Sequence, residues 1–182
     1  AEYTISVEKV PAVAKDGSIA WDPNFDWGKV EAGSTEKGAW VASWTVYVNR
    51  DVINDWTHKP AGSLGGNDVV VTDELPQDMS YVPGSASYWL RPDKYNGIGA
   101  LTTEPEIAGS SAMFTLKTDA SVGAVANTNY FVQLTYKTAA HASAVGNTGT
   151  DVQFTNSATA QSGSKSFPAG SKTVEASSKV VE

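Results

Sequence analysis

The sequence predicts an all-β domain: an immunoglobulin-like antiparallel β-sandwich of about seven to nine strands with long loops. Three observations carry that expectation. Apolar residues recur at every second position in several separate stretches, the period of a strand with one buried face. Turn signals built from Gly, Pro, Asn and Asp interrupt those stretches at sandwich spacing. No stretch holds helical spacing for more than a single turn, at 139–149.

The chain has 182 residues, enough for one substantial core. Residues 1–165 are expected to form the sandwich, and 166–182 a last edge strand or a linker to a following domain. Charged residues make up 18% of the chain, below the ordinary quarter, and the balance is acidic, with a net charge of -7. That balance argues against nucleic acid and anionic membrane surfaces as partners. No apolar run approaches the ~20 residues that a spanning helix needs, so no membrane insertion is expected. Ala1, Glu2 and Tyr3 lead straight into alternating residues with no leader-like segment. The chain is therefore expected to be an extracellular piece of a longer exported protein. Cys is absent, which excludes disulfides, thiol nucleophiles and thiolate metal sites. His58 and His141 lie in polar, loop-like contexts without metal-ligand spacing, and neither a metal nor a cofactor is expected.

Taken in order, residues 4–10 (TISVEKV) alternate cleanly, with Tyr3, Ile5, Val7 and Lys9 on one face. Residues 10–38 read as irregular, with Trp21, Phe25 and Trp27 pinning a long loop or a short extra hairpin. Asp22, Asn24 and Asp26 open like a calcium loop, but its Gly falls one place late and Gly33 stands where the closing Glu belongs. They are read as turn acids. Residues 39–49 (AWVASWTVYVN) form the strongest strand, with Trp40, Ala42, Trp44, Val46 and Val48 facing inward. After a polar loop, residues 67–87 (NDVVVTDELPQDMSYVPGSAS) form a strand that ends at a Pro-containing turn and restarts at Tyr81. Further strands are marked by Ala112, Phe114 and Leu116, by Tyr130, Val132, Leu134 and Tyr136, and by Phe154, Asn156, Ala158 and Ala160.

Three polar residues break the apolar parity of those strands. Val69, Val71 and Leu75 make a core face, and Asp73 falls among them, where a carboxylate is costly without a partner. Asn156 and Lys9 interrupt a late and an early strand in the same way. Burial disfavours both charged forms, so the lysine is pushed toward a neutral, nucleophilic amine and the aspartic acid toward its protonated state. The acid can then polarise the Asn156 carboxamide and shuttle protons while the amine attacks and ammonia leaves. Lys29, in FDWGKV, shares parity with Phe25 and Trp27 and is the reserve lysine. Glu74 points to the opposite face.

The segment VVVTDELPQDMSYVPGSAS resembles the "TDxLPxgxxYvxgS" stretch of the isopeptide-forming domains of Gram-positive fimbrial subunits and collagen-adhesin-like surface proteins. Residues 131–160, FVQLTYKTAAHASAVGNTGTDVQFTNSATA, are similar to that family's late segment, which ends in the bond-forming Asn. The resemblance runs from residue 3 to about 160 and implies a collagen-adhesin-type sandwich in which Lys9 and Asn156 are joined with help from Asp73. It implies a stalk or shaft module in a cell-wall-attached adhesin or pilus, with neighbouring domains of the same protein as partners. Such self-joining happens once per molecule, so a turnover enzyme is not expected. The alternative expectation is a ligand-binding adhesin or carbohydrate-binding module, meeting a host protein or glycan through loop tryptophans, foremost Trp56 and Trp89.

Overall fold

The computed structural model describes residues 10–178. Its thirteen strands are β1 (Ala14–Asp26), β2 (Lys37–Val48), β3 (Arg50–Val52), β4 (His58–Pro60), β5 (Val69–Glu74), β6 (Ser80–Tyr81), β7 (Ser87–Arg91), β8 (Ile98–Thr102), β9 (Glu106–Ala108), β10 (Ser111–Leu116), β11 (Phe131–Ala140), β12 (Val152–Ser162) and β13 (Lys165–Ala176). A single turn of helix, α1 (Ala142–Val145), follows β11. The strands outnumber the seven to nine expected because β3, β4, β6, β8 and β9 are only two to five residues long. Runs that short show too few alternations to stand out from loop sequence.

Every pairing is antiparallel, and two sheets make the sandwich. One has the order β1-β2-β11-β7-β8, with β6 also on β11, and the other runs β13-β12-β5-β10-β9. The small β3–β4 hairpin stands apart. The inward faces supply the core: Trp44, Val46 and Val48 from β2, Val132, Leu134 and Tyr136 from β11, Val69 and Val71 from β5, and Phe114 and Leu116 from β10 are all buried. Trp44 is affordable inside because its indole N–H donates to Thr138 Oγ1 at 2.8 Å.

The largest departure from expectation lies at residues 10–38. The supposed loop contains β1, a 13-residue strand in register with β2 from Ala14 opposite Tyr47 to Asp22 opposite Ala39. Lys15, Gly17 and Ile19 are its half-buried inward positions, while Asp16, Ser18 and Ala20 are exposed. Gly17 is small for a reason. The Trp44 ring packs directly over it, and a Cβ there would lie 2.6 Å from the indole. β1 also meets the facing sheet at its edge: Val13 N–H donates to Pro168 O at 2.8 Å, and the Val13 carbonyl occupies the space a Cβ on Gly170 would need. The two edges thereby close one side of the sandwich. Of the strand expected at residues 4–10, all but Val10 lies outside the described residues, and Val10 is not in a strand.

Trp27, expected to pin the stretch at residues 10–38, is fully buried. It centres a small second core with Phe25, Ala39, Val82 and Ala139, and its N–H donates to Gly38 O at 2.8 Å. His141 stacks on it with ring centroids 3.5 Å apart. Its Nε2 meets Glu31 Oε1 at 2.7 Å and its Nδ1 meets Glu36. With a carboxylate at each ring nitrogen the imidazolium is the form that fits. Burial on its own lowers the His141 pKa, but the hydrogen bonds and charges of Glu31 and Glu36 outweigh it and raise the group above its ordinary value. A raised histidine contributes stability that is complete below the unfolded value near 6.5 and is lost as pH climbs through the folded value. The melting temperature of the wild type should therefore fall relative to that of His141→Ala as pH rises from about 6 to about 9. Two melting curves that stay parallel over that span would remove the charged histidine from the account.

Candidate functional site

Asp73 and Asn156 face the core from neighbouring strands of one sheet, and both are fully buried. β12 pairs with β5 so that Ala158 stands opposite Asp73. Asn156, two residues along, is thus the diagonal same-face neighbour, close enough for polar side chains to meet. Tyr136 reaches the pair from β11 of the facing sheet and is 1% exposed. The amine comes from β1. Lys15 belongs to an edge strand and shows part of its backbone to solvent, yet its side chain is entirely buried.

Lys15 Nζ lies 2.8 Å from Asp73 Oδ2 and 2.7 Å from Tyr136 Oη. The Tyr136 hydroxyl donates to Asp73 Oδ2 and accepts from Asn156 Nδ2 at 2.8 Å. The Trp44 ring walls the amine on one side and the Tyr136 ring on another, at 5.5 and 5.3 Å. This is a cluster of four polar side chains enclosed by apolar ones.

The lysine that joins the cluster is neither of the two expected. Lys9 lies outside the described residues. Lys29 is exposed in the 3₁₀ turn Trp27–Lys29, where Asp26 caps the backbone N–H of Gly28 at 2.9 Å. The parity argument for Lys29 assumed an unbroken strand, but the chain leaves β1 at Asp26 and turns. Lys15 lies in the stretch expected to be irregular, where Ala-Lys-Asp-Gly imitates a polar turn. The signal that marks it is the period-2 series Val13, Lys15, Gly17, Ile19, Trp21, with a glycine where the strand must pass under a tryptophan. Tyr136 is legible in the sequence as an inward position of its strand, with nothing there to mark it as part of the cluster.

Burial is the largest influence on each ionisable member. It pulls the Lys15 pKa below the ordinary lysine range, against the pull of the Asp73 charge and hydrogen bond. It raises the Asp73 carboxyl, against Lys15 and the hydrogen bonds of Tyr136 and Asn156. It also lifts the Tyr136 phenol well above its usual value, with the Asp73 charge adding to the effect, so that side chain stays protonated.

A proton inventory gives the same answer from geometry. Asp73 Oδ1 and Asn156 Oδ1 are both buried and accept no hydrogen bond. With Asp73 ionised and Lys15 an ammonium, a formally charged oxygen is left unpaired in the core, at a cost of several kcal/mol. With Asp73 protonated at Oδ1, its O–H is available to the neighbouring Asn156 Oδ1, and both orphans are satisfied together. A neutral Lys15 amine then spends its two N–H groups on Asp73 Oδ2 and Tyr136 Oη. Its lone pair stays free. The arrangement holds an unprotonated amine, a carboxamide and a carboxylic acid in one dry enclosure, the ingredients of amide exchange.

The tryptophans expected to bind ligand are placed differently from one another. Trp56 is 77% exposed on the β3–β4 connection, near exposed Ile53. Trp89 is half-buried in β7, lying against Gly99 and beneath the Arg91 guanidinium, 4.4 Å from the ring centroid. Among the described residues no three His, Asp or Glu converge on a metal-sized space.

No protein-family model matches the chain, and no curated protein matches it in sequence. Solved structures do resemble it. The N-terminal domain of a Streptococcus gordonii adhesin superposes on 92% of this chain with a TM-score of 0.52 and 12% identity. The Enterococcus faecalis MSCRAMM ACE superposes on 97% of it with a TM-score of 0.50 and 12% identity. The collagen-binding domain from a Staphylococcus aureus adhesin covers 95% of this chain with a TM-score of 0.46, also at 12% identity. The chain spans 33% of the first of those proteins, 53% of the second and 100% of the third. The fold is the immunoglobulin-like sandwich of surface-adhesin domains.

Proposed function

We propose that this chain is a stalk or shaft module of a bacterial surface adhesin or pilus, and that it locks its own fold with an isopeptide bond between Lys15 and Asn156. Asp73 is the assisting acid. The single observation that carries the reading is the enclosure of Lys15, Asp73 and Asn156 with an unpaired oxygen on each of the last two. Such a bond would join β1, at the edge of one sheet, to β12 in the other, closing a loop of about 140 residues. A pull on the two ends of the domain would meet that covalent bond before it could peel β1 from β2. The adhesin-like fold supports an extracellular, cell-wall-attached setting, in which neighbouring domains of the same protein are the immediate partners. The reaction runs once per molecule, so the chain is not a turnover enzyme.

The test is the intact mass of the purified chain under denaturing conditions. The reading predicts a deficit of one ammonia; the unmodified sequence mass would overturn it. A second reading, ligand capture, is favoured by the exposure of Trp56 alone, since Trp89 is half-covered. Binding to a glycan or collagen array that disappears in Trp56→Ala would support it.

A further inference from the structure

We infer that Tyr136 is a catalytic residue of the cross-linking reaction, the acid that protonates the departing nitrogen of Asn156. The inference rests on the isopeptide reading above and adds to it a second proton carrier. Its basis is contact: the Tyr136 hydroxyl touches the attacking atom, the leaving atom and the assisting acid at once, with Lys15 Nζ at 2.7 Å, Asn156 Nδ2 at 2.8 Å and Asp73 Oδ2 as its own acceptor. Asp73 Oδ2 is engaged by Lys15 and Tyr136, while Asp73 Oδ1 and the carboxamide oxygen are both buried without a partner. The nitrogen that must leave is already held at 2.8 Å by the Tyr136 hydroxyl.

The protons balance as follows. The Lys15 lone pair attacks Asn156 Cγ, forming the new C–N bond, while the carbonyl electron pair moves to Oδ1 and takes the proton from Asp73 Oδ1. The attacking nitrogen, now carrying one proton too many, passes it to Asp73 Oδ2. At this tetrahedral stage Asn156 Nδ2 is no longer conjugated with the carbonyl, so it has a basic lone pair in place of an amide donor. The hydrogen bond between Nδ2 and Tyr136 Oη then reverses, as the phenol O–H rotates toward Nδ2 and the now pyramidal Nδ2 turns its lone pair toward Oη. As the Cγ–Nδ2 bond breaks, Nδ2 takes the Tyr136 proton and leaves as ammonia. Asp73 Oδ2 refills Tyr136, and the proton on the former carbonyl oxygen returns to Asp73 Oδ1. One amide and one ammonia result, and both acids end as they began. The high pKa that burial imposes on Tyr136 keeps the proton in place until a basic nitrogen appears beside it.

The experiment compares wild type and Tyr136→Phe made in a cell-free system, quenched into denaturant at intervals and weighed intact. Phe keeps the ring that packs 5.0 Å from Phe114 and removes only the hydroxyl. The expected result is the same final mass deficit reached with a half-time about 100-fold longer, the lower end of what a positioned acid contributes. An unchanged half-time overturns the role of Tyr136 and leaves the cross-link standing, whereas absence of the deficit in the wild type overturns the cross-link itself. If Tyr136→Phe shows no cooperative melt, wild-type chain made with 3-fluorotyrosine decides, because its phenol is a stronger acid of nearly the same shape. A changed rate supports the relay and an unchanged one contradicts it.

Discussion

Asn156→Ala is expected to give a chain of full sequence mass that melts about 10–20 °C below the wild type. The reasoning runs through the unfolded state. A bond from residue 15 to residue 156 removes most of the chain's freedom to separate its ends, and the chain-entropy estimate for a loop of about 140 residues is about 5 kcal/mol. For a domain of this size each kcal/mol moves the melting temperature by about 2–4 °C. Loss of the Asn156 hydrogen bond to Tyr136 adds only about 1 kcal/mol, so a drop confined to a few degrees would mean that no covalent loop had been removed. Differential scanning calorimetry of the two proteins, with the intact mass taken on the same samples, separates these outcomes.

Asp73→Ala should also leave Lys15 and Asn156 unjoined, for a kinetic reason in place of a missing partner. Without the acid nothing polarises the Asn156 carbonyl, and nothing accepts the extra proton of the attacking amine. Loss of a positioned acid–base of this kind slows a reaction by about 10²–10⁴-fold. Time-resolved intact masses should show the unmodified chain persisting. The folded protein should melt at or below Asn156→Ala, because the buried Lys15 amine then keeps only Tyr136 as a partner. A rapid, complete ammonia deficit in Asp73→Ala would show that the acid had been misassigned.

Much of this was legible in the chain because strands with one buried face write their parity into the sequence. β2, β5, β10, β11 and β12 all place the inward residues that their alternation predicts, and Asp73 and Asn156 stood out because they violate an otherwise apolar face. β1 stayed hidden for a related reason. Two of its inward positions are Lys15 and Gly17, one polar for the site and one absent in size for Trp44, so the strand that supplies the amine lost its own signature. Its polar stretch Lys-Asp-Gly-Ser imitates a turn, and only the partner strand reveals otherwise. Parity also says nothing about which inward side chains converge across the two sheets. Tyr136 is therefore legible as core but not as a member of the cluster.

The account rests on one covalent link, and the most direct test of it is tandem mass spectrometry of a protease digest of the purified protein. The expected result is a branched peptide in which Lys15 is joined to Asn156 with the loss of one ammonia, and no linear peptide containing unmodified Asn156. Recovery of both residues in linear peptides of unmodified mass, or a branch that starts from Lys9 or Lys29, would contradict it.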